Sequence, residues 1–154
     1  MQQYQPALLR YASRVLNNED AAQDVVQEAF IRLHSNMEKI KQRGVHLKGW
    51  LFRTTHNAAV DYIRKETRLR ALHQKQAMPV VSSKVEEDRE QLVLQHLYVL
   101  KPKEREVLVL RLQEGMSYRE IARVLKRSEG YVGTLIHTAT KKLTHSLRQT
   151  GVIS

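Results

Sequence analysis

Cysteine is absent from the 154-residue sequence, which excludes a disulfide framework, a thiol nucleophile and a cysteine-ligated zinc site. Only three prolines and six glycines occur, too few for a collagen-like chain or a turn-dense all-β fold. Aromatic residues reach only 6%, with a single tryptophan. No apolar run approaches the ~18 residues that a membrane-crossing helix needs, so no membrane insertion is expected. The opening MQQYQPALLRY lacks the apolar core of a signal peptide, and a cytoplasmic location is predicted. Missing too are a paired-carboxylate acid and base, a Ser/His/Asp arrangement and a glycine-rich phosphate loop, so no enzyme is expected, and no cofactor or metal.

Acidic residues are outnumbered, 16 against 26 Lys and Arg, for a formal charge of +10. A chain so basic favours a polyanionic partner, because each phosphate contact releases condensed counterions. Nucleic acid is the leading candidate, ahead of an anionic membrane surface. The excess is not a tail: residues 1–76 hold 13 basic and 7 acidic side chains, and residues 77–154 hold 13 and 9. A hydrophobic share of 42% is enough for helical cores, and helical periodicity appears at once.

Leu8, Leu9, Ala12, Val15 and Leu16 form a stripe that gives a first helix one buried face. After a break at Asn18–Asp20, a second helix from about Glu19 to Asn36 turns Val25, Val26, Ala29, Phe30 and Leu33 inward. Asp20, Asp24 and Glu28 recur every four residues on its outer side, and acids early in a helix complement its dipole. From Met37 to Gly49 the periodicity fails in a basic, glycine-containing stretch, which predicts a loop. A third helix spans about Leu47 to Leu72, with Leu47, Trp50, Leu51, Ala58, Tyr62 and Ile63 inward. Arg53, Asn57, Asp61 and Arg64 fall on its polar stripe.

Residues 73–84, HQKQAMPVVSSK, carry a proline and no sustained period, so residues 73–86 are predicted to link two domains, 1–72 and 87–150. The expected fold is all-α, two small helical domains on a flexible linker. In the second, Leu92, Val93, Leu97 and Leu100 suggest a helix, and Pro102 suits the first position of another, with Val107, Leu108 and Leu112 buried and Gly115 at its end.

Ser117-Tyr118-Arg119-Glu120 fits a capping box, in which the serine hydroxyl accepts from the third helical amide and the glutamate reaches back to the cap amide. Ile121, Ala122 and Leu125 then face inward, Lys126 to Ser128 make a short turn with Ser128 as the next cap, and Val132, Leu135, Ile136, Ala139 and Leu143 line a second helix. That pattern is a helix-turn-helix. Gly130, Gly133, Thr134, His137 and Lys141 point outward, where a recognition helix presents side chains to the major groove. Arg119, Arg127, Lys141 and Lys142 are the candidate phosphate clamp. An ordinary amphipathic hairpin with a solvated basic face shares the stripes, but the charge, the box and the short turn together favour duplex DNA. His137 has no second ligand at metal spacing and is assigned no metal.

Four strings in order carry a resemblance: Ala22 to Leu33, AQDVVQEAFIRL; Gly49 to Arg64, GWLFRTTHNAAVDYIR; Leu100 to Leu112, LKPKEREVLVLRL; and Ser117 to Leu125, SYREIARVL. Over nearly its whole length the chain resembles the extracytoplasmic-function sigma factors of bacterial RNA polymerase, region two first and region four last. The resemblance implies that Asp24, Gln27 and Glu28 dock the polymerase core. It also implies that Arg53, Asn57, Asp61, Arg64, Lys65 and Arg68 meet the promoter element upstream of the start site and its melted non-template strand. Arg119, Arg127, Thr134, His137, Lys141 and Lys142 would meet the element farther from the start, and the basic stretch Lys39–Lys48 would capture a flipped base. Trp50, by its inward register, is assigned to the core. An anti-sigma factor is implied as a further partner.

The recognition helix departs from the family's usual G-T-V-K-S-R-L-H-R-A. It reads Gly130-Tyr131-Val132-Gly133-Thr134-Leu135-Ile136-His137-Thr138-Ala139. Lysine has become Gly133 and arginine Thr138, which removes two phosphate anchors, and Gly133 costs about 1 kcal/mol of helix propensity against alanine. Two other functions remain open at this point. A free-standing helix-turn-helix regulator could bind a palindrome as a dimer, although the Gly49 to Arg64 string speaks against it. An adaptor whose polar helices bind a protein would show no salt-dependent DNA binding.

Overall fold

Asn18 sets the first interhelical corner. Its side-chain oxygen accepts from the Ala21 amide at 3.1 Å and so starts a helix whose first turn holds Glu19 and Asp20. The computed structural model describes residues 3–44, 46–73 and 95–151, and among these every regular element is helical. Helix α1 spans Gln5–Leu16, α2 Glu19–Arg43 and α3 Leu47–His73. The three pack on one another around Leu8, Tyr11, Ala12, Val15, Val25, Val26, Leu33, Leu51 and Phe52. Each fully buried large apolar side chain there contributes about 1.5–3 kcal/mol. Trp50 is half-buried against this core, as its register predicts.

Helix α2 corrects the expected loop. It runs seven residues past Asn36, because Met37 and Ile40 continue the stripe of Leu33 and pack on the core. It stops where Gly44 takes φ +63°, a left-handed conformation suited to glycine, and returns its N–H to the Ile40 carbonyl. The basic stretch Lys39–Lys48 is therefore mostly helical: Lys39 and Lys41 belong to the last turns of α2, and Lys48 to the first turn of α3. Apart from His73, the expected linker 73–86 lies outside the described residues, as do Leu92 and Val93.

The second half begins with a 3-10 turn at Leu97–Val99, with Leu97 and Leu100 buried. Helix α4 (Pro102–Leu108) starts on proline as expected and then widens into a π turn over Val109–Gln113. There the Glu114 amide reaches back five residues to the Val109 carbonyl. The extra residue in that turn rotates the face. Val109 and Leu110 go inward, while Leu112, expected in the core, is 69% exposed. Gly115, at φ +65°, ends the element. Helices α5 (Tyr118–Leu125) and α6 (Glu129–Gln149) follow, and Val107, Leu110, Met116, Ile121, Val124, Val132, Ile136 and Ala139 form the core among them.

The two halves touch. Helix α1 lies against α4 and its π turn, and α3 lies against α5. Glu106 of α4, 5% exposed, accepts from the Tyr11 hydroxyl and faces Nδ1 of His56. Arg105 reaches back to the Val15 carbonyl in the last turn of α1, and its other terminal nitrogen donates to the Leu100 carbonyl at 3.3 Å. At the rim Arg10 meets Glu114 at 3.2 Å.

Candidate nucleic-acid interface

The helix-turn-helix is built as the sequence dictates. Ser117 Oγ accepts from the Glu120 amide at 3.1 Å, and Glu120 Oε1 accepts from the Ser117 amide at 3.0 Å. The hydrogen bond from the Ser117 amide is the main reason the Glu120 carboxyl sits below its ordinary value, with the serine hydroxyl, Lys48 and His46 adding to it against partial burial. Lys126, at φ +55°, turns the chain, and Ser128 caps α6 by accepting from the Tyr131 amide at 3.0 Å. Ile121, Ala122, Val132, Ile136, Ala139 and Leu143 are buried, and Leu125 and Leu135 are half-buried against them.

With that face pinned, Thr134, His137 and Lys141 are exposed along α6, and Arg119 and Arg127 are exposed on α5 and in the turn. Arg127 lies over the Tyr131 ring, 5.1 Å from its centre, which restricts the guanidinium at the mouth of the recognition helix. Lys142, also exposed, is bonded to Glu104 at 2.7 Å. Burial alone would raise the Glu104 carboxyl, but Lys142 and Lys101 outweigh it and hold the group below its usual range.

Gly133 is half-buried rather than freely outward. The Tyr118 ring leans from α5 across α6 at this point, and a Cβ built on Gly133 would lie 3.5 Å from its Cε2, an ordinary van der Waals contact. Arg111 stacks on the same ring at 5.0 Å and donates to the Met116 carbonyl at 2.9 Å. Tyr118 was not singled out from sequence. The contact joins the first position of α5 to a half-buried register of α6, a pairing that no local period marks.

On the first half, Asn57, Asp61, Arg64, Lys65 and Arg68 are exposed on α3 and Arg53 is half-buried, at spacings that put most of them on one stripe. Asp24, Gln27 and Glu28 are exposed on α2, where Glu28 pairs with Arg32 at 2.8 Å. The structure thus brings each set together on a single helix or helix pair. Sequence reasoning missed Tyr11, His56, Arg105 and Glu106, which join the halves. One signal was available: Glu104 and Arg105 occupy registers shared with the buried Leu108, and charges on an apolar face mark a specific contact.

Residues 1–69 match the family model for sigma-70 region 2, and residues 91–143 match that for sigma-70 region 4. The RNA polymerase sigma-E factor of Streptomyces avermitilis is 32% identical over 148 residues, covering 93% of this chain and 80% of that protein. The chain belongs to the sigma-70 family, in its extracytoplasmic-function branch. Among further relatives, the ECF RNA polymerase sigma factor SigE of Mycolicibacterium smegmatis is 31% identical and covered over 58% of its length. The sigma factor RpoE of Bartonella quintana, solved in complex with the anti-sigma factor NepR, shares the fold. Its TM-score is 0.74 at 22% identity, covering 96% of this chain and 93% of that one. Region two of this sigma factor thus corresponds to α1 to α3, and region four to the elements from Leu97 onward. No described helix is long and apolar enough to cross a membrane.

Proposed function

We propose that this sigma factor binds the polymerase core through Asp24, Gln27 and Glu28 and directs it to promoters with two separate DNA-reading surfaces. The observation that carries this is that regions two and four occur in order on one chain, each with its polar residues exposed on a helix face. In region two, residues 1–72, Arg53, Arg64, Lys65 and Arg68 hold the backbone of the melted strand while Asn57 and Asp61 offer polar edges to unstacked bases. Region four, residues 87–150, docks α6 in the major groove. Thr134 and His137 face base edges there, and Arg119, Arg127, Lys141 and Lys142 face phosphates. Lys142 must exchange Glu104 for a phosphate to do so. Residues 73–86 join the two readers. The chain contributes binding and placement, and the chemistry belongs to the core enzyme in the cytoplasm. An anti-sigma factor, as in the Bartonella quintana complex, is a further partner.

Two substitutions separate positioning from reading. Lys141→Ala should lower affinity for all duplexes alike and make binding less salt-dependent, whereas Thr134→Ala should change the ranking of sequences. Equal losses on every duplex for both variants would overturn the assignment. Absence of any association with core enzyme would overturn the docking face.

A further inference from the structure

Tyr131 stands where the family string carries threonine, and it is the one change in that string that adds an aromatic ring. It occupies the third position of α6, where its amide donates to Ser128 Oγ at 3.0 Å, and the residue is half-buried. Arg127 precedes the cap by one residue, and its guanidinium lies over the Tyr131 ring, 5.1 Å from the centre. Arg127 is otherwise exposed. No carboxylate among the described residues pairs with it, although Glu129 is only two positions away. Lys142, by contrast, is already bonded to Glu104. Contact through one face leaves the donors of a guanidinium free, because they all point outward in its plane. Arg127 is thus a held cation with unspent donors.

We infer that Arg127, held in place by the Tyr131 ring, replaces the backbone anchor that α6 lost at Thr138, an assignment that rests on the reading of α6 as the promoter-docking helix. Residues 131 and 138 are seven apart, so they fall within about 20° of each other around the helix and about 10 Å apart along it. They therefore face the same DNA strand when α6 lies in the groove. Gly133 is on the opposite flank, beside the Tyr118 ring. A long basic side chain on an open helix face gives up rotamer freedom when it grips a phosphate. Arg127 has lost part of that freedom before DNA arrives, since the ring already restricts it. The tyrosine hydroxyl is not needed for this, because the face of any aromatic ring attracts a cation. Tyr131 is then a positioning residue, and Arg127 makes the contact. The phosphate grip moves to the start of the recognition helix, and the middle of α6 is left to Thr134 and His137.

The test uses the full chain bound to polymerase core enzyme, with the duplex that this complex enriches most from a randomised pool. Arg127→Ala should weaken binding about tenfold and lower the slope of log affinity against log salt by about one. Methylphosphonate placed at single backbone positions should identify one phosphate whose neutralisation costs the unaltered chain about tenfold and costs Arg127→Ala nothing. Tyr131→Leu, which keeps apolar bulk, should weaken binding about two- to fivefold, and Tyr131→Phe should restore it to within about twofold of the unaltered chain. On the Arg127→Ala background, Tyr131→Leu should cost nothing further, a coupling that a purely structural tyrosine would not show. Thr138→Arg added to Arg127→Ala should recover most of the affinity, with the sensitivity moved to a neighbouring phosphate of the same strand. Equal costs of Tyr131→Leu with and without Arg127, or an unchanged salt slope in Arg127→Ala, overturn the anchor. A Tyr131→Phe as damaging as Tyr131→Leu does so too, since the hydroxyl would then be the contact, as does a Thr138→Arg that restores nothing. If the unaltered complex enriches no duplex, the promoter reading fails and the anchor with it. If it enriches one that Arg127→Ala binds equally well, the promoter reading stands and the anchor fails.

Discussion

Thr55 is completely buried in α3, and its hydroxyl has no hydrogen-bond partner. Desolvating a hydroxyl without a partner costs on the order of 1–3 kcal/mol, so Thr55→Val, which keeps the branched shape, should stabilise the chain by about 1 kcal/mol. A urea midpoint that falls would show that the hydroxyl is satisfied. Glu120 illustrates the opposite case. Its carboxyl is held below the ordinary 4.5, chiefly by the Ser117 amide, so the folded state favours the ionised form. That contribution is complete above the unfolded value and is lost as pH falls through the folded one. Glu120→Gln should melt lower than the unaltered chain at neutral pH, and the gap should close as pH falls below the ordinary glutamate range and the carboxyl protonates. A gap that is the same at every pH would exclude the ionised cap. The Ser117 box was legible in sequence because it is written in four adjacent residues. Thr55 was not, since a threonine at an apolar register says nothing about whether its hydroxyl finds an acceptor.

Among the elements, Gly133 is a sequence oddity that the packing does not require. Alanine at this position would gain up to ~1 kcal/mol of helix propensity, and its methyl group would meet the Tyr118 ring at ordinary van der Waals distance. Gly133→Ala should therefore raise the thermal midpoint of region four; a fall would mean that the ring has no room to give. Stripes such as Leu8, Ala12 and Val15, or Val132, Ile136, Ala139 and Leu143, were readable because burial repeats with the helical period. Two elements escaped that reading. The π turn at Val109–Gln113 adds a residue to one turn, which no 3.6-residue template contains, and so turns Leu112 outward. Helix α2 outlasts its expected end because only Met37 and Ile40 continue its stripe, among five polar neighbours.

At the scale of the whole molecule, four ordered strings identified a chain of two helical regions, and the matches to sigma-70 regions 2 and 4 bear this out. The placement of one region on the other was not legible. It depends on pairs such as Tyr11 with Glu106 and His56 with Glu106, 95 and 50 residues apart, and no local period encodes them. The most direct test of the central claim is open-complex formation. Purified chain and polymerase core enzyme are mixed with a pool of genomic promoter fragments, and melted bases are mapped by permanganate reactivity. Melting at defined sites that requires both the chain and the core enzyme is the predicted result; uniform reactivity with and without the chain would contradict it.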